Sequence, residues 1–246
     1  MELPVESKCH LNHVSCNDCR MSSLCLPLAL QNEEVARLDE IVQRGRPLQK
    51  DELVYSAGEP FRAVYAVRSG AIKSYCLDNE GVEQVTGFYL PGEVFGMDGL
   101  GDDRYSTNAV ALETSAVCEI PFEHFERLGT QIPSLQRHFL QLMSREITTD
   151  HQLITLLSKN SADERIATLL MSISRRNQRR NLSASRFRLP MSRADIGNYL
   201  GLTVETVSRV FSRLQKQGII YADKKEIEIL DRDELIAMTN RQASAP

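Results

Sequence analysis

Between Leu48 and Phe122 the chain alternates short runs of β-branched and aromatic residues with turn signals. Residues 64–67 end at Ser69-Gly70, residues 71–77 at Asp78-Asn79-Glu80-Gly81, and residues 84–90 at Pro91-Gly92. Residues 107–112 and 115–120 have the same character. Many short strands at this spacing predict a barrel or jelly roll. Helical periodicity flanks the stretch on both sides. Before it, Val35, Leu38, Ile41 and Val42 share one face of a helix expected over residues 32–44, with Asn32 as its N-cap. After it, Pro133 closes a loop and a long helix is expected over residues 134–158.

That long helix carries Leu140, Met143, Ile147, Asp150, Ile154 and Leu157 at alternating intervals of three and four. The spacing is that of an a/d seam made for a partner helix. A core-facing stripe would have the same period. Asp150 separates the two readings, because at a seam position its charge faces its own symmetry mate, and confining two like charges there is costly. Otherwise Asp150 turns to solvent or pairs with Arg145.

A further helix is expected over residues 159–180, ending in the basic run 175–180, followed by a short strand over residues 186–189. Residues 193–212 have the pattern of a helix-turn-helix. Ile196 and Leu200 share one face of the first helix. Gly201 stands at the turn, where a left-handed backbone suits glycine. Leu202 fills the turn, Thr203 caps the second helix, and Val207 and Val210 form that helix's apolar face. The opposite face presents Glu205, Ser208 and Arg209, side chains suited to base edges in the major groove. Residues 219–230 alternate as a small hairpin, or wing, around Lys224-Lys225.

Charge sharpens this division. The chain has 246 residues and a net charge of −4, with 25% charged and 42% hydrophobic residues, as in a water-soluble globular protein. Residues 159–246 hold 16 Lys and Arg against 10 Asp and Glu, and the rest holds 13 against 23. The basic part is suited to phosphates, which repel the acidic part. No apolar run reaches the roughly 18 residues of a membrane helix, and the N-terminus does not have the pattern of a secretion signal. The expected location is the cytoplasm, where thiols stay reduced. No nucleophile–base constellation or phosphate-cradling glycine loop points to an enzyme.

Cys16, Cys19 and Cys25 form C-x2-C-x5-C, a spacing that brings thiolates to one metal or to corners of a cluster. A fourth ligand is needed, with Cys9, Cys76, Cys118, His10 and His13 as candidates. Zinc would be closed and structural, and iron–sulfur would be redox-active. These residue patterns leave both open. Arg20, beside Cys19, favours negative charge at such a centre.

Taken together, the residues resemble the FNR/ANR branch of the CRP/FNR superfamily, oxygen-responsive transcription regulators of bacteria. The closest stretches are IKSY at 72–75, EQVTGFYLPGE at 83–93, ALETSAVCEIPFE at 111–123, LMSREI at 142–147, LLSK at 156–159 and DIGNYLGLTVETVSRVF at 195–211. The resemblance implies an α+β chain. Residues 1–30 would bind the cluster, and residues 31–132 would form a jelly-roll β-roll of the cyclic-nucleotide-binding kind. Residues 133–158 would be the dimerisation helix, and residues 159–246 the winged helix-turn-helix. It implies one [4Fe-4S] cluster per subunit on Cys16, Cys19, Cys25 and Cys118. Asp150 would oppose dimerisation when the cluster is lost, with Ile147 its hydrophobic neighbour at the interface. Glu205, Ser208 and Arg209 would read a TTGAT-N4-ATCAA-like palindrome in double-stranded DNA. Asp78, Asn79, Glu80 and Gly81, and the region around Ser183, would touch RNA polymerase. Relatives that bind cyclic AMP need a glutamate for the ribose and an arginine followed by a small hydroxyl residue for the phosphate. Those places carry Met97, Ser106 and Thr107 here, so no cyclic nucleotide is expected, although nucleotide control remains an alternative, as does a zinc-stabilised regulator.

Overall fold

A computed structural model describes residues 14–239. Cys9, His10 and His13, three of the candidate fourth ligands, lie outside the described residues.

The strand-rich stretch forms two four-stranded antiparallel sheets. Their strands are β1 (Gln43–Arg44), β2 (Leu53–Tyr55), β3 (Ala63–Ser69), β4 (Ile72–Leu77), β5 (Glu83–Tyr89), β6 (Val94–Phe95), β7 (Asn108–Ala111) and β8 (Ala116–Pro121). One sheet has the order β1-β8-β3-β6 and the other β2-β7-β4-β5. Inward-pointing Tyr55, Ala63, Tyr65, Ile72, Phe95 and Ala109 from both sheets make one buried cluster, so the sheets pack as a roll. The chain reverses at Gly70 with φ of +77°, and a Cβ there would stand 2.2 Å from the Ser115 hydroxyl. Only glycine meets both conditions.

The first helix, α1 (Asn32–Ile41), departs from the expected 32–44. Its N-cap is Gln31, whose N–H donates to the Glu34 carboxylate at 2.9 Å, and Asn32 lies within the first turn. The helix ends at Ile41 because Gln43 and Arg44 turn extended and pair with Glu119 and Cys118 on β8. A helix not expected from the pattern, α2 (Phe122–Gln131), buries Phe125 and Leu128. Its period of three was obscured by the strand that runs into it. The long helix α3 (Pro133–Lys159) matches its expected span. Its N-terminal half is anchored by Leu135 and Phe139 in the same core as Phe125.

The chain breaks at Asn160, and α4 (Ala162–Arg179) starts on a capping box, with the Ser161 N–H donating to Glu164 at 2.7 Å. Then come β9 (Arg186–Arg188), α5 (Arg193–Leu200), α6 (Val204–Lys216), the wing strands β10 (Ile220–Asp223) and β11 (Glu226–Ile229), and α7 (Arg232–Thr239). The small sheet has the order β10-β11-β9. The α7 helix was not foreseen. It offers Leu235 and Met238 to the core, too short a signal to stand out from the wing.

Helix α5 docks on the outer face of β5. Lys73 of β4 bridges Glu83 at 2.6 Å and Asp195 of α5 at 3.0 Å. The Val85 N–H donates to the Asn198 side chain at 2.5 Å, and Arg176 of α4 donates to the Phe88 carbonyl at 2.6 Å. The apolar core of the C-terminal helices is continuous with Val85, Phe88 and Leu90.

Candidate functional site

The three clustered cysteines lie in tight turns ahead of α1. The Cys25 N–H donates to the Met21 carbonyl at 2.9 Å, and Ser22 to the Cys19 carbonyl at 3.0 Å. Cys25 then caps a 3-10 turn, Leu26–Ala29, whose Leu26 is fully buried. Cys118 reaches the same place from β8. All four sulfur-bearing side chains line one cavity, walled by Leu26, Leu38, Val42, Ala66 and Ile120. Across it Cys16 and Cys25 feel the charge of Cys118, and Cys25 and Cys118 feel that of Cys19. Cys76 sits on β4 and is not among the lining residues. Among the described residues, no three His, Cys, Asp or Glu side chains gather tightly enough to hold a single metal ion.

Burial dominates the acidity of this set. It pushes the Cys25 thiol up to about 12 and, helped by the acceptor Asp39, the Cys16 thiol up to about 12. Burial also raises Cys118, against the pull of Arg44 and Arg68. Bare thiolates are disfavoured here, so a ligated group must displace the protons and supply compensating positive charge. Two arginines, Arg44 and Arg68, line the cavity, and Arg44 touches a sulfur. The Arg44 guanidinium stands 3.2 Å from the Cys16 sulfur and is ion-paired with Asp39.

At the other end of the chain, the expected turn geometry is present. The Thr203 hydroxyl accepts from the Thr206 N–H at 3.2 Å and so caps α6. Gly201 has φ of +62°. A second glycine matters as much: a Cβ at Gly197 would meet the Leu202 carbonyl at 2.6 Å, so the close approach of α5 to the turn requires its absence. Ile196, Leu200, Val207, Val210 and Leu214 are buried between the helices. The outer face of α6 presents Glu205, Ser208 and Arg209, all exposed, and continues into Ser212, Arg213 and Lys216 in one shallow concavity. Arg213 and Lys216 extend the basic stripe beyond the residues singled out in the sequence. Their i+4 and i+7 spacing from Arg209 was the available signal.

The C-terminal region, residues 164–238, matches the family model of the Crp-like helix-turn-helix domain, and residues 45–131 match the cyclic nucleotide-binding domain. The chain is 53% identical to the transcriptional activator protein anr of Pseudomonas aeruginosa, over 94% of this chain and 95% of that one. It is 46% identical to the anaerobic regulatory protein of Haemophilus influenzae, over 92% and 88%. It is also 46% identical to the fumarate and nitrate reduction regulatory protein of Salmonella typhimurium, over 92% and 90%. The chain belongs to the Anr/FNR branch of the CRP/FNR family. The fold agrees: FixK2 from Bradyrhizobium japonicum superposes with a TM-score of 0.73 at 34% identity, over 80% of this chain and 97% of that one. Membership makes this an FNR-type anaerobic transcription regulator rather than an enzyme, binding DNA through its helix-turn-helix in a family of dimeric regulators. The Anr/FNR branch uses iron–sulfur clusters. Among the described residues no helix is long and apolar enough to cross a membrane.

The remaining FNR-type features sit on α3 and the roll. Leu140, Ile147 and Ile154 are 57%, 55% and 63% exposed in the single chain, an apolar stripe on one helix that none of the described residues covers. Met143 and Leu157 are half-buried, and Leu157 also approaches the turn at Gly201. Asp150 lies exposed on the stripe. Partial burial holds its carboxyl above the usual range, and among the described residues it forms no ion pair with Arg145. One turn earlier, Glu146 faces inward and accepts from the Tyr89 hydroxyl at 2.9 Å.

The roll interior is filled by stacked rings. Tyr55 and Tyr105 lie 3.8 Å apart, and Phe95 stacks on Tyr65 and Tyr89. Beside them the Asp98 carboxylate accepts four bonds, from the N–H and hydroxyl of both Ser106 and Thr107, at 2.8–3.0 Å. The β4–β5 turn, Asp78, Asn79, Glu80 and Gly81, is fully exposed, held by Asp78 accepting from Glu80 and Val82, with Leu77 and Val82 exposed on either side.

Proposed function

We propose that Cys16, Cys19, Cys25 and Cys118 hold one [4Fe-4S] cluster per subunit. In this reading ligation promotes pairing along α3, so that two α6 helices engage a TTGAT-N4-ATCAA-like palindrome. One observation carries the proposal: four thiols from distant segments line a single apolar cavity whose wall is continuous with α3. Cys25, Cys118, Leu26, Phe139 and Met143 belong to one packed cluster, so a change in sulfur ligation has a contiguous route to the pairing helix. When bound, the cluster supplies an oxygen-labile link between the loop and the roll. The protein's part is to hold the loop against β8, bury the sulfurs and keep α3 in register.

The donor set fits this group. Among the described residues, four cysteine thiols and no histidine line the cavity, the donor set of a [4Fe-4S] cluster. Nucleotide control is disfavoured because Asp98 takes the donors of Ser106 and Thr107, aligned with the phosphate site of nucleotide-binding relatives, and aromatic rings occupy the lumen. In the cytoplasm, the exposed turn at Asp78–Asn79–Glu80–Gly81, with Leu77 and Val82, offers RNA polymerase an apolar contact rimmed by acid.

Purification under argon tests the reading. The expected product is brown, carries about four irons and four sulfides per chain, and loses its colour and operator binding together in air. Colourless protein with stoichiometric zinc that binds equally in air would overturn it. At the DNA, Arg209 is suited to grip a guanine edge bidentately. Arg209→Ala is expected to weaken operator binding by about 1–3 kcal/mol, roughly 5- to 150-fold, and to relax selectivity at one base pair per half-site. Competition binding with single-position operator variants measures both effects.

A further inference from the structure

The cation nearest the sulfur ligands comes from neither of the two segments that carry the cysteines. Arg44 lies on β1, where it pairs in register with Cys118. Its guanidinium donates to the Cys16 sulfur at 3.2 Å, and its attraction also reaches Cys118. Its side chain is only 8% exposed. Among the described residues its buried Nε has no hydrogen-bond partner, and the side chain lines the cavity of the four sulfurs. Asp39 completes the arrangement. It ion-pairs with Arg44 and accepts the Cys16 N–H at 2.8 Å, so one carboxylate fixes both the arginine and the backbone of a ligand. By contrast Arg20, the arginine adjacent in sequence, is exposed, where solvent screens its charge.

We infer that Arg44, braced by Asp39, is a positioning residue of the cluster site that stabilises its more negative state and slows electron loss to oxygen. This rests on the assignment of a cluster to the four thiolates. A buried guanidinium beside a sulfur ligand favours whichever state carries more negative charge. A cluster on these thiolates that gave one electron to dioxygen, yielding superoxide, would leave the assembly one charge less negative. Arg44 therefore opposes that step by its charge and by its hydrogen bond to sulfur, and both act with the same sign. The unpartnered Nε is a buried donor, which is costly without an acceptor, and sulfur ligands or cluster sulfides offer one.

The test uses full-length protein loaded under argon and follows cluster absorbance after air is admitted, together with the oxidation midpoint potential. Arg44→Met is expected to bleach about tenfold faster and to have a lower potential. Arg44→Lys, which keeps the charge, is expected to recover most of both. Asp39→Asn keeps an acceptor for the Cys16 N–H but removes a negative charge, so it is expected to bleach more slowly than wild type. Arg20→Ser is expected to change the rate by less than Arg44→Met. The opposite signs separate charge tuning from structural damage, which would speed bleaching in both variants. If Arg44→Met fails to fold, the Asp39→Asn comparison decides alone. Wild-type rates and potentials in Arg44→Met, or faster bleaching in Asp39→Asn, would overturn the inference while leaving the cluster assignment intact. Wild-type protein free of iron under argon would remove the assignment itself.

Discussion

Cys118→Ala is expected to leave the fold intact and to abolish both iron retention and operator binding under argon. Cys118 lies mid-strand on β8, where its backbone pairs with Arg44 on β1 and Ala66 on β3, and none of that pairing needs the thiol. Its side chain is half-buried at the cavity edge, so trimming one sulfur costs the fold about 1 kcal/mol. The consequence for ligation is far larger. Cys16, Cys19 and Cys25 all belong to the segment before α1, and Cys118 is the one thiol of the four on the roll. Without it, ligation no longer ties that segment to β8. Iron and sulfide per chain are expected to fall from about four each to a small fraction of that. Operator affinity under argon is expected to drop to that of air-treated wild type, with a melting temperature within a few degrees of the parent. Cys76→Ala provides the matched control. That thiol is also half-buried in a strand, on β4 and away from the cavity, and its loss is expected to change neither iron content nor binding. Iron retained in Cys118→Ala, or lost in Cys76→Ala, would move the fourth ligand elsewhere.

What the sequence made legible follows from the range of the forces involved. The strands over 64–90 and 107–120 announce themselves by alternation and turn residues, both local signals. The helix-turn-helix is equally local: Gly201, Thr203 and the Val207–Val210 face lie within ten residues, and the structure places each as expected. Cys118 entered as a ligand through family resemblance, because β8 brings it to the other three only after the roll has closed. Arg44 was invisible for a related reason. Helical periodicity carried α1 on to residue 44, whereas strand pairing with β8, a contact about 75 residues away, claims the last two positions. Local propensity gave way to tertiary pairing at that boundary. Helix α2 was lost to the same kind of overlap, because its apolar residues directly continue those of β8. Asn32 has better intrinsic capping chemistry than Gln31, but Glu34 meets the Gln31 N–H and sets the start one residue earlier.

The same balance of small terms governs the pairing helix, and there it yields the second large effect. Asp150→Ala is expected to dimerise and to bind its operator in air, without an intact cluster. Covering the exposed halves of Leu140, Ile147 and Ile154 gains about 1 kcal/mol each, or roughly 6 kcal/mol over two helices. Association costs at least about 4 kcal/mol, and α3 supplies little else, so the surplus is at most about 2 kcal/mol. Against that small surplus stand two carboxylates. Unit charges about 5 Å apart at an effective dielectric constant of 20–40 repel by roughly 1.5–3 kcal/mol. Relief is slight, since Arg145 makes no ion pair with Asp150 among the described residues, the adjacent His151 alone pulls the carboxyl the other way, and Asp150 and Glu146, one turn back, repel each other. The repulsion is thus as large as the surplus, and a modest shift of α3 driven from Cys25 and Cys118 through Phe139 and Met143 suffices to tip it. Alanine removes the repulsion and also favours the helix. Its dimer should therefore tighten roughly 10- to 100-fold in air, by analytical ultracentrifugation, and its operator affinity in air should approach that of argon-loaded wild type. Asp150→Asn should give most of the same gain, since it deletes charge but little volume. If both variants sediment as monomers in air, the apolar stripe of α3 is not held apart by this carboxylate, and the coupling must run through another surface.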